Sequence, residues 1–451
     1  MRSWEIDKSI WKPRKAYADA RNFWDTPAVY KRGMNIDWAR CTTDRFKKAV
    51  LPFRPSDDPV GAERELGRIK TVLNRHRVML YSCFTYYSLF GSGGRGMWTH
   101  PAYTSFCAEC KITLKDESAQ VAAAYSDLDN VFLVACMDVP KSDPIKDSAG
   151  TDRQIGDTKE GKGHALLRYG FVAVLVRLAI TKYKDEGAVS PAWALERLVG
   201  ECIRPNLPMS ATVCNDDFRN MKLYGPEVED VLRRYISSLR TMFKYYSGQD
   251  YDGISHKGEL LSLDEFTRLL LDADIFDERF TRREAGLIFA WSQMFVADEV
   301  KRREKLLNLT FEGFLEAIAR VSLFKAIPTA SQLVEKKLQS AADFFDELDL
   351  NGGYNEWIAK NAPSWKKEET EGRQLEEVLE KIIQFMIVRL DVDESGTVTL
   401  KDFDAKQKNK RESEKDKARF RRQSLIRRDV AAGNFLHHKR SDDGDDAPPA
   451  K

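Results

Sequence analysis

Residues Asp391–Asp402 read D-V-D-E-S-G-T-V-T-L-K-D. Oxygen-bearing residues fall at positions one, three, five, seven, nine and twelve of this stretch, and Gly396 stands at position six, where such a loop turns sharply. The spacing is that of a loop that surrounds one divalent cation with oxygen atoms. The predicted ligands are the side chains of Asp391, Asp393, Ser395 and Asp402, the backbone carbonyl of Thr397, and at Thr399 either the hydroxyl or a bound water molecule.

Position twelve of this loop departs from the usual ligand set. A Glu at this position gives Ca2+ two oxygen atoms, and the side chain of Asp402 is one methylene shorter. We therefore expect weaker binding of Ca2+ and better tolerance of Mg2+, with one ion per chain at most. The alternative interpretation is a turn rich in Asp and Ser that keeps its fold without an ion.

Residues Leu375–Leu390 precede the loop and predict a helix. Apolar side chains recur there at the three- and four-residue spacing of one helix face. They are Leu379, Ile382, Ile383, Met386, Ile387 and Leu390. The candidate loop upstream begins at Glu347 but carries Ile358 at position twelve, so we predict that it holds no metal.

Two segments farther upstream, residues 63–186 and 226–325, repeat one order of sequence features. In each, a helical stretch that ends in Tyr-Tyr-Ser is followed by a Gly-containing loop and then by apolar stretches at matching spacing. In the first copy the matching groups are Tyr86-Tyr87-Ser88, Trp98-Thr99, Val131-Phe132 and Gly170-Phe171. Their counterparts in the second copy are, in the same order, Tyr245-Tyr246-Ser247, Leu261-Ser262, Ile288-Phe289 and Gly313-Phe314. This shared order predicts a duplicated unit of four apolar helices joined by short loops.

The loops of the second copy keep the helix starts of a cation loop but lack its ligands. We place Leu261, Phe280 and Leu309 at position eight of three such loops. Earlier ligand positions then carry residues such as Ile254, and the last loop has Gly313 at position twelve. We expect these loops to bind no ion.

The first 62 residues contain four of the nine tryptophans, Trp4, Trp11, Trp24 and Trp38. No sustained helical period is present beyond a short stretch near residues 14–23, so we interpret the segment as an extended basic arm. Aromatic side chains at this density need a surface to pack on. Two interpretations stay open: the arm folds back over the helices of the same chain, or its tryptophans anchor it to a partner.

The net charge of +2 hides an uneven distribution. Residues 1–55 carry 13 Lys or Arg against 6 Asp or Glu, and residues 401–430 carry 12 against 6. Residues 56–400 carry a net charge of −10. Basic ends suit a large acidic partner, and charge alone does not choose among nucleic acid, tubulin and an anionic membrane.

Composition and motifs exclude several functional classes. No run of eighteen apolar residues occurs, and the N-terminus is too polar for a signal peptide. The seven cysteines are an odd number and suit a reducing compartment, so we expect a cytoplasmic protein. The six histidines and the pair Cys107 and Cys110 complete no catalytic or metal-binding constellation, and we predict neither enzyme activity nor a small-molecule substrate.

The segment after residue 403 predicts a charged helix followed by a tail, together residues 404–451. Residues 421–425 read R-R-Q-S-L, which places the hydroxyl of Ser424 two residues after paired arginines, a pattern that basophilic kinases accept. Phosphate on Ser424 would cancel part of the basic charge of this segment. Motifs this short also occur by chance.

The chain resembles degenerate EF-hand-pair proteins of cilia and flagella, some of which are microtubule inner proteins that line axonemal doublet microtubules. The resemblance covers about residues 63–403 and rests on the Tyr-Tyr-Ser helix ends, the L-S-x-x-E-F start at residues 261–266, Phe280-Thr281 and the L-T-F-x-G-F stretch at residues 309–314. It implies a structural role in the flagellar axoneme, a part of the cytoskeleton, with tubulin and other axonemal proteins as partners and neither nucleic acid nor membrane. Gly313 departs from the pattern, since the ordinary motif has Glu there.

The implied fold class is all-α, with tandem EF-hand-like helix-loop-helix pairs and extended N- and C-terminal arms. The predicted divisions are a Trp-rich basic arm (1–62), a first degenerate pair (63–186), a connector (187–225), a second degenerate pair (226–325), a third pair with one competent loop (326–403) and a charged helix with a tail (404–451). An alternative function is a calcium-responsive regulator, a sensor or adaptor that binds a target protein. Because a sensor normally has paired working loops and this chain has one, we favour the structural role.

Overall fold

The structure is a computed structural model, and it describes residues 4–89, 96–113, 121–137, 145–146, 152–153, 165–186, 190–247, 259–362 and 374–392. All of these residues belong to one unit of the chain, Met1–Thr397. The predicted site residues Asp393, Ser395, Thr397, Thr399, Asp402 and Ser424 lie outside the described residues.

α-Helices dominate the described residues, which confirms the predicted all-α class. In chain order they are α1 (Lys12–Tyr17), α2 (Pro27–Cys41), α3 (Asp44–Val50), α4 (Pro59–Tyr87), α5 (His100–Glu109), α6 (Val121–Met137), α7 (Arg168–Tyr183), α8 (Pro191–Arg197), α9 (Arg204–Asn206), α10 (Asn215–Phe218), α11 (Pro226–Arg234), α12 (Ile236–Ser247), α13 (Leu263–Asp272), α14 (Arg282–Trp291), α15 (Arg303–Leu307), α16 (Phe311–Phe324), α17 (Ala330–Lys336), α18 (Ala341–Leu350), α19 (Tyr354–Asn361) and α20 (Leu375–Leu390). Single 3-10 turns cover Ile6–Lys8, Lys184–Glu186 and Met209–Ala211, and π-helical stretches cover Leu198–Ile203 and Arg219–Leu223. None of the described helices is both long and apolar enough to cross a membrane.

Several helix starts are specified by neighbouring residues. Before α13, the Ser262 hydroxyl accepts a hydrogen bond from the Glu265 amide (3.3 Å), and the Glu265 carboxylate accepts one from the Ser262 amide (2.7 Å). The same reciprocal cap begins at Thr281 before α14 and at Ser340 before α18. These caps satisfy amides that have no partner within the first helical turn, so the starts follow from local sequence.

Among the described residues, each copy of the repeat has an antiparallel pair of two-residue strands at the same place, and the first copy has a second such pair. The strands are β1 (Trp98–Thr99), β2 (Ile145–Lys146), β3 (Asp152–Arg153), β4 (Ala165–Leu166), β5 (Leu261–Ser262) and β6 (Asn308–Leu309). β1 pairs with β4 in the first copy and β5 with β6 in the second, while β2 pairs with β3. Trp98 faces Leu166 and Leu261 faces Leu309, so residues that the sequence repeat aligns occupy the same place in the two copies.

A second correspondence joins the helices that flank β1 and β5. The Tyr87 hydroxyl at the end of α4 donates to Glu109 at the end of α5 (2.7 Å). In the second copy the Tyr246 hydroxyl of α12 donates to Asp272 at the end of α13 (3.0 Å). The predicted duplication therefore has a structural counterpart.

Phe280 does not occupy the place predicted for it. Its amide donates to the Asp277 carboxylate (2.6 Å), and its carbonyl accepts from the Asp277 amide (3.0 Å), which forms a turn ahead of α14. The strand pair of the second copy joins Leu261 and Leu309 instead. Placing Phe280 at position eight of a loop is therefore wrong, because an apolar residue followed by Thr also marks an ordinary helix start.

The N-terminal segment is folded and is not an extended arm. It contains α1, α2 and α3; α1 contacts α16, and α2 contacts α4 and α7. Trp11 is fully buried, and Trp38 is 8% exposed. Of the two interpretations of its aromatic residues, these contacts favour packing over the helices of the same chain. The helical period is weak in the sequence because α1 and α3 are six and seven residues long and because polar residues such as Arg14 and Asp37 are buried.

α20 begins and ends at the residues predicted from the sequence. All six apolar residues of the predicted face are buried, and so are Leu375 and Phe385, which means that more than one side of the helix is covered. α20 contacts α16 and α11 of the second copy as well as α18. α20 is thus packed directly against the second copy.

Candidate functional site

α20 gives way at Asp391 to the predicted cation loop. Asp391 is exposed and has a left-handed backbone (φ 55°), and the Val392 amide donates to the carbonyl of Ile387 (3.0 Å). Helices commonly end in this way, and Asp tolerates the conformation better than bulky or branched residues do. Asp391 is the one predicted ligand that lies in the described residues. Within those residues, no three His, Cys, Asp or Glu side chains are grouped so that they could hold a metal ion.

Ionic and polar contacts fix the end of α20 relative to its neighbours. Arg389 reaches Asp346 on α18 (Nη2–Oδ1 2.8 Å) and Asp274 after α13 (Nε–Oδ2 3.6 Å). Nearer the middle of the helix, Glu380 accepts a hydrogen bond from the hydroxyl of Tyr235 (3.1 Å). The start of the predicted cation loop is thereby attached to the second copy.

Three of the four N-terminal tryptophans contact residues of the same chain that are far away in sequence. The Trp4 indole donates to Glu229 of α11 (2.5 Å). Trp11 and Trp24 pack against the ring of Tyr224, with centroid separations of 5.4 and 5.9 Å. Because Trp11 is enclosed by these contacts, its side chain has no surface to offer to a partner.

A buried ionic cluster, called here the Glu316 cluster, centres on Glu316 of α16. The carboxylate pairs with Arg14 (2.5 Å), Arg219 (3.0 Å) and Arg320 (2.7 Å), and all four side chains are at least 97% buried. Burial disfavours the ionised carboxylate, but the three guanidinium groups outweigh burial and lower the pKa of Glu316 to about 2. The cluster joins α1, the connector and α16 through charges that have no access to water.

Arg219 extends this cluster toward the N-terminal segment. Its guanidinium also pairs with Asp25 (3.2 Å) and Asp216 (3.0 Å) and donates to the carbonyl of Gln293 (2.8 Å). Burial raises the pKa of Asp25 to about 6, although the charge of Arg219 opposes this shift. Arg219 begins one of the two described π-helical stretches. This conformation is rare and is often found at functional sites.

A second buried pair connects α2, the first copy and the second copy. Arg168 at the start of α7 pairs with Asp37 of α2 (Nε–Oδ2 2.6 Å). Its guanidinium also donates to the carbonyls of Val296 and Ala297 (2.8 Å each), and its backbone amide donates to the carboxylate of Glu299 (2.6 Å). The Arg168 side chain therefore has hydrogen-bond acceptors from two separate parts of the chain, α2 and residues 296–297.

Glu299 lines a cavity of about 90 Å³ between the two copies, together with Asp25, Tyr30, Tyr81 and Arg168. Among the described residues, Oε2 of Glu299 has no hydrogen-bond partner. Burial raises the pKa of Glu299 to about 7, although the charge of Arg168 opposes this shift. The cavity is large enough for a few water molecules, and Glu299 and Asp25 both change charge close to neutral pH.

The charged residues of these buried contacts were not singled out from the sequence. One signal was available, because Glu316 and Arg320 lie four residues apart inside an otherwise apolar helix, where an ion pair is expected. No such signal marks Arg14 or Arg219, since both lie in segments of ordinary polarity. Their partners come from other parts of the chain.

No family model matches this chain, and no curated protein and no solved structure was found to be similar to it. Function is therefore inferred from the residues and contacts described above.

Proposed function

We propose that this chain is a non-catalytic structural protein of the flagellar axoneme that binds tubulin and other axonemal proteins inside doublet microtubules and stabilises them. The observation that carries the proposal is the Glu316 cluster. Arg14, Arg219 and Glu316 come from three distant segments and form one buried contact, so relative movement of these segments would expose unpaired charge. A fold held rigid in this way suits a building element better than a switch.

We infer further that each copy is a degenerate EF-hand pair. The facing residues Leu261 and Leu309 support this inference, because paired EF-hand loops contact each other at position eight. Position twelve of the second loop is then Gly313, which has no side-chain oxygen. A Cβ atom added to Gly313 would lie 3.0 Å from Leu309 Cδ2, so Leu309 packs tightly where a ligand side chain at position twelve would begin. In this interpretation the loops have kept their pairing and lost their ion.

One divalent cation, Ca2+ or Mg2+, is proposed for the loop that begins at Asp391. The oxygen donors of residues 391–402 suit a hard cation. Because α20 is buried against α16, α11 and α18, the ion would stabilise the end of an already packed helix. A sensor would instead need a helix that is free to move away and expose an apolar groove.

The surface of the N-terminal segment supports an acidic protein partner. Asp25 and Asp37 are buried, and the side chain of Asp19 is 8% exposed, so three of the acidic residues of this segment contribute little charge to its surface. Most of its basic residues, such as Lys12 and Lys31, are exposed. The folded segment is therefore more basic at its surface than its composition indicates, and tubulin is acidic.

Fractionation of flagella tests the proposed function. The full chain with an epitope tag is expressed in flagellated cells, and axonemes are freed of membrane and matrix and then extracted with salt. We expect the tagged chain to stay with the doublet microtubules, while the tag fused to an unrelated soluble protein is lost with the matrix. Release of the chain with the soluble matrix would contradict the proposal.

A further inference from the structure

Four basic side chains from two distant parts of the sequence surround Asp19. Arg32 of α2 donates to the carbonyl of Asp19 (2.8 Å), and Arg21 donates to the carbonyl of Ala16 (2.5 Å). From the second copy, Lys305 and Arg302 lie 3.5 and 4.0 Å from Oδ1 of Asp19. We call Arg21, Arg32, Arg302 and Lys305 the Asp19 cluster.

The Asp19 cluster has a surplus of positive charge, unlike the buried ionic contacts. The Asp19 carboxylate is already occupied, since Oδ2 accepts from the Ala297 amide (3.1 Å). Arg21, Arg32 and Arg302 are exposed, so their guanidinium groups keep donors that face solvent. Burial lowers the pKa of Lys305, Asp19 opposes this shift, and the nearby Arg302 and Arg21 add to it.

We propose that the Asp19 cluster is a docking site for a carboxylate-rich segment of a partner protein. This inference rests on the proposed function, which requires an acidic protein partner, and it assigns the contact to a particular surface. Three guanidinium groups on one surface suit carboxylates, because each presents paired donors that match the two oxygens of a Glu or Asp side chain. The acceptor groups of the backbone hold Arg21 and Arg32 in place before a partner arrives.

The geometry favours carboxylates over a nucleic acid strand. Binding of single strands combines a basic groove with aromatic rings on which bases stack. The aromatic ring in this cluster belongs to Tyr17, and the ammonium of Lys305 covers it at 4.1 Å from the ring centroid.

Peptide binding to the purified full chain tests the inference. The probe is a fluorescently labelled glutamate-rich peptide, measured by anisotropy over a range of salt concentrations. In the double variant Arg32→Gln/Arg302→Gln we expect the Kd to rise about tenfold at low salt. The matched control Lys47→Gln/Lys48→Gln removes the same charge from a half-exposed and an exposed position on α3, and there we expect a change of less than about twofold.

Circular dichroism melting of each variant shows whether it is folded, and the single variant Arg302→Gln replaces the double variant if that one unfolds. Equal weakening in the cluster variant and the control would overturn the inference, since binding would then follow net charge alone. Tighter binding of a single-stranded DNA probe of equal charge, with the same loss in the cluster variant, would overturn the choice of carboxylates. Either outcome leaves the fractionation result untouched, so failure of this inference is distinguishable from failure of the proposed function.

Discussion

Arg14 and Glu316 lie 302 residues apart in the sequence, and their side chains meet at 2.5 Å in the interior of the protein. Both are almost completely shielded from water. A buried ion pair of this kind stabilises little over an apolar pair of the same shape, but removing one partner is strongly destabilising. The contact therefore makes the position of α1 on α16 highly specific.

Replacement of Arg14 tests this specificity. Arg14→Met removes one of the three cations on Glu316 and leaves the hydroxyl of Tyr224 without its donor, so we expect a loss of about 3 kcal/mol in the free energy of unfolding. Lys15→Met is the matched control, because Lys15 is exposed and pairs with the exposed Asp7; we expect a change within about 0.5 kcal/mol. Urea unfolding followed by circular dichroism measures both. Similar stabilities of the two variants would contradict a structural role of the cluster.

Truncation of Trp11 distinguishes packing on the same chain from anchoring to a partner. Trp11 is fully buried, so Trp11→Ala is expected to lower the free energy of unfolding of the isolated chain by about 3–5 kcal/mol. Trp193→Ala, at an indole that is 45% exposed, is the control and is expected to cost about 1 kcal/mol. Thermal or urea unfolding of purified protein without partners gives the comparison. An unchanged stability of the Trp11 variant would restore the anchor interpretation.

Glu299 gives the stability a specific dependence on pH. Its pKa is about 7 in the folded protein and 4.5 as an ordinary Glu, so between these values the folded state binds more protons than the unfolded state. Stability therefore falls as pH rises from about 5 to 7.5, and Asp25, with a raised pKa of about 6, acts in the same direction.

Glu299→Gln removes the Glu299 part of this dependence. Relative to the natural chain, we expect the free energy of unfolding of the variant to increase by on the order of 2 kcal/mol as the pH rises from 5 to 8. Glu278→Gln, at an exposed position, is the control and is expected to leave the pH profile unchanged. Chemical unfolding at a series of pH values measures the difference. A constant difference between variant and natural chain across this range would show that Glu299 does not titrate there.

Calorimetric titration with Ca2+ and Mg2+ tests the proposed ion site. We expect no more than one ion per chain and a loss of binding in Asp391→Asn, which keeps a residue that tolerates the left-handed backbone and removes the charge. Asp349→Asn, in the loop predicted to be free of metal, is the control and is expected to bind as the natural chain does. Two ions per chain would contradict the single site. Binding at micromolar Ca2+ with a large rise in dye-accessible apolar surface would favour the calcium-responsive regulator.

Much of the helical architecture follows from the sequence. The bounds of α20 and its buried face are those of the apolar period, and the repeated Trp98-Thr99 and Leu261-Ser262 become equivalent strands. Phe280 shows the limit of such reasoning, because an apolar residue followed by Thr occurs both at position eight of a cation loop and at an ordinary helix start. The N-terminal segment shows another limit, since its short helices bury charged side chains that hydrophobic periodicity does not count.

By itself the sequence determined the helical class and the ends of several helices, because helix periods and caps depend on residues within about one turn of each other. Only the tertiary structure decided which charges are internal and which face outward. Arg14 is buried and Lys15 beside it is exposed, since a buried charge is tolerated only where packing brings it a partner. For Arg14 that partner is Glu316. Arg21 and Arg32 instead lie on a surface that they share with Arg302. Both placements depend on contacts between segments hundreds of residues apart.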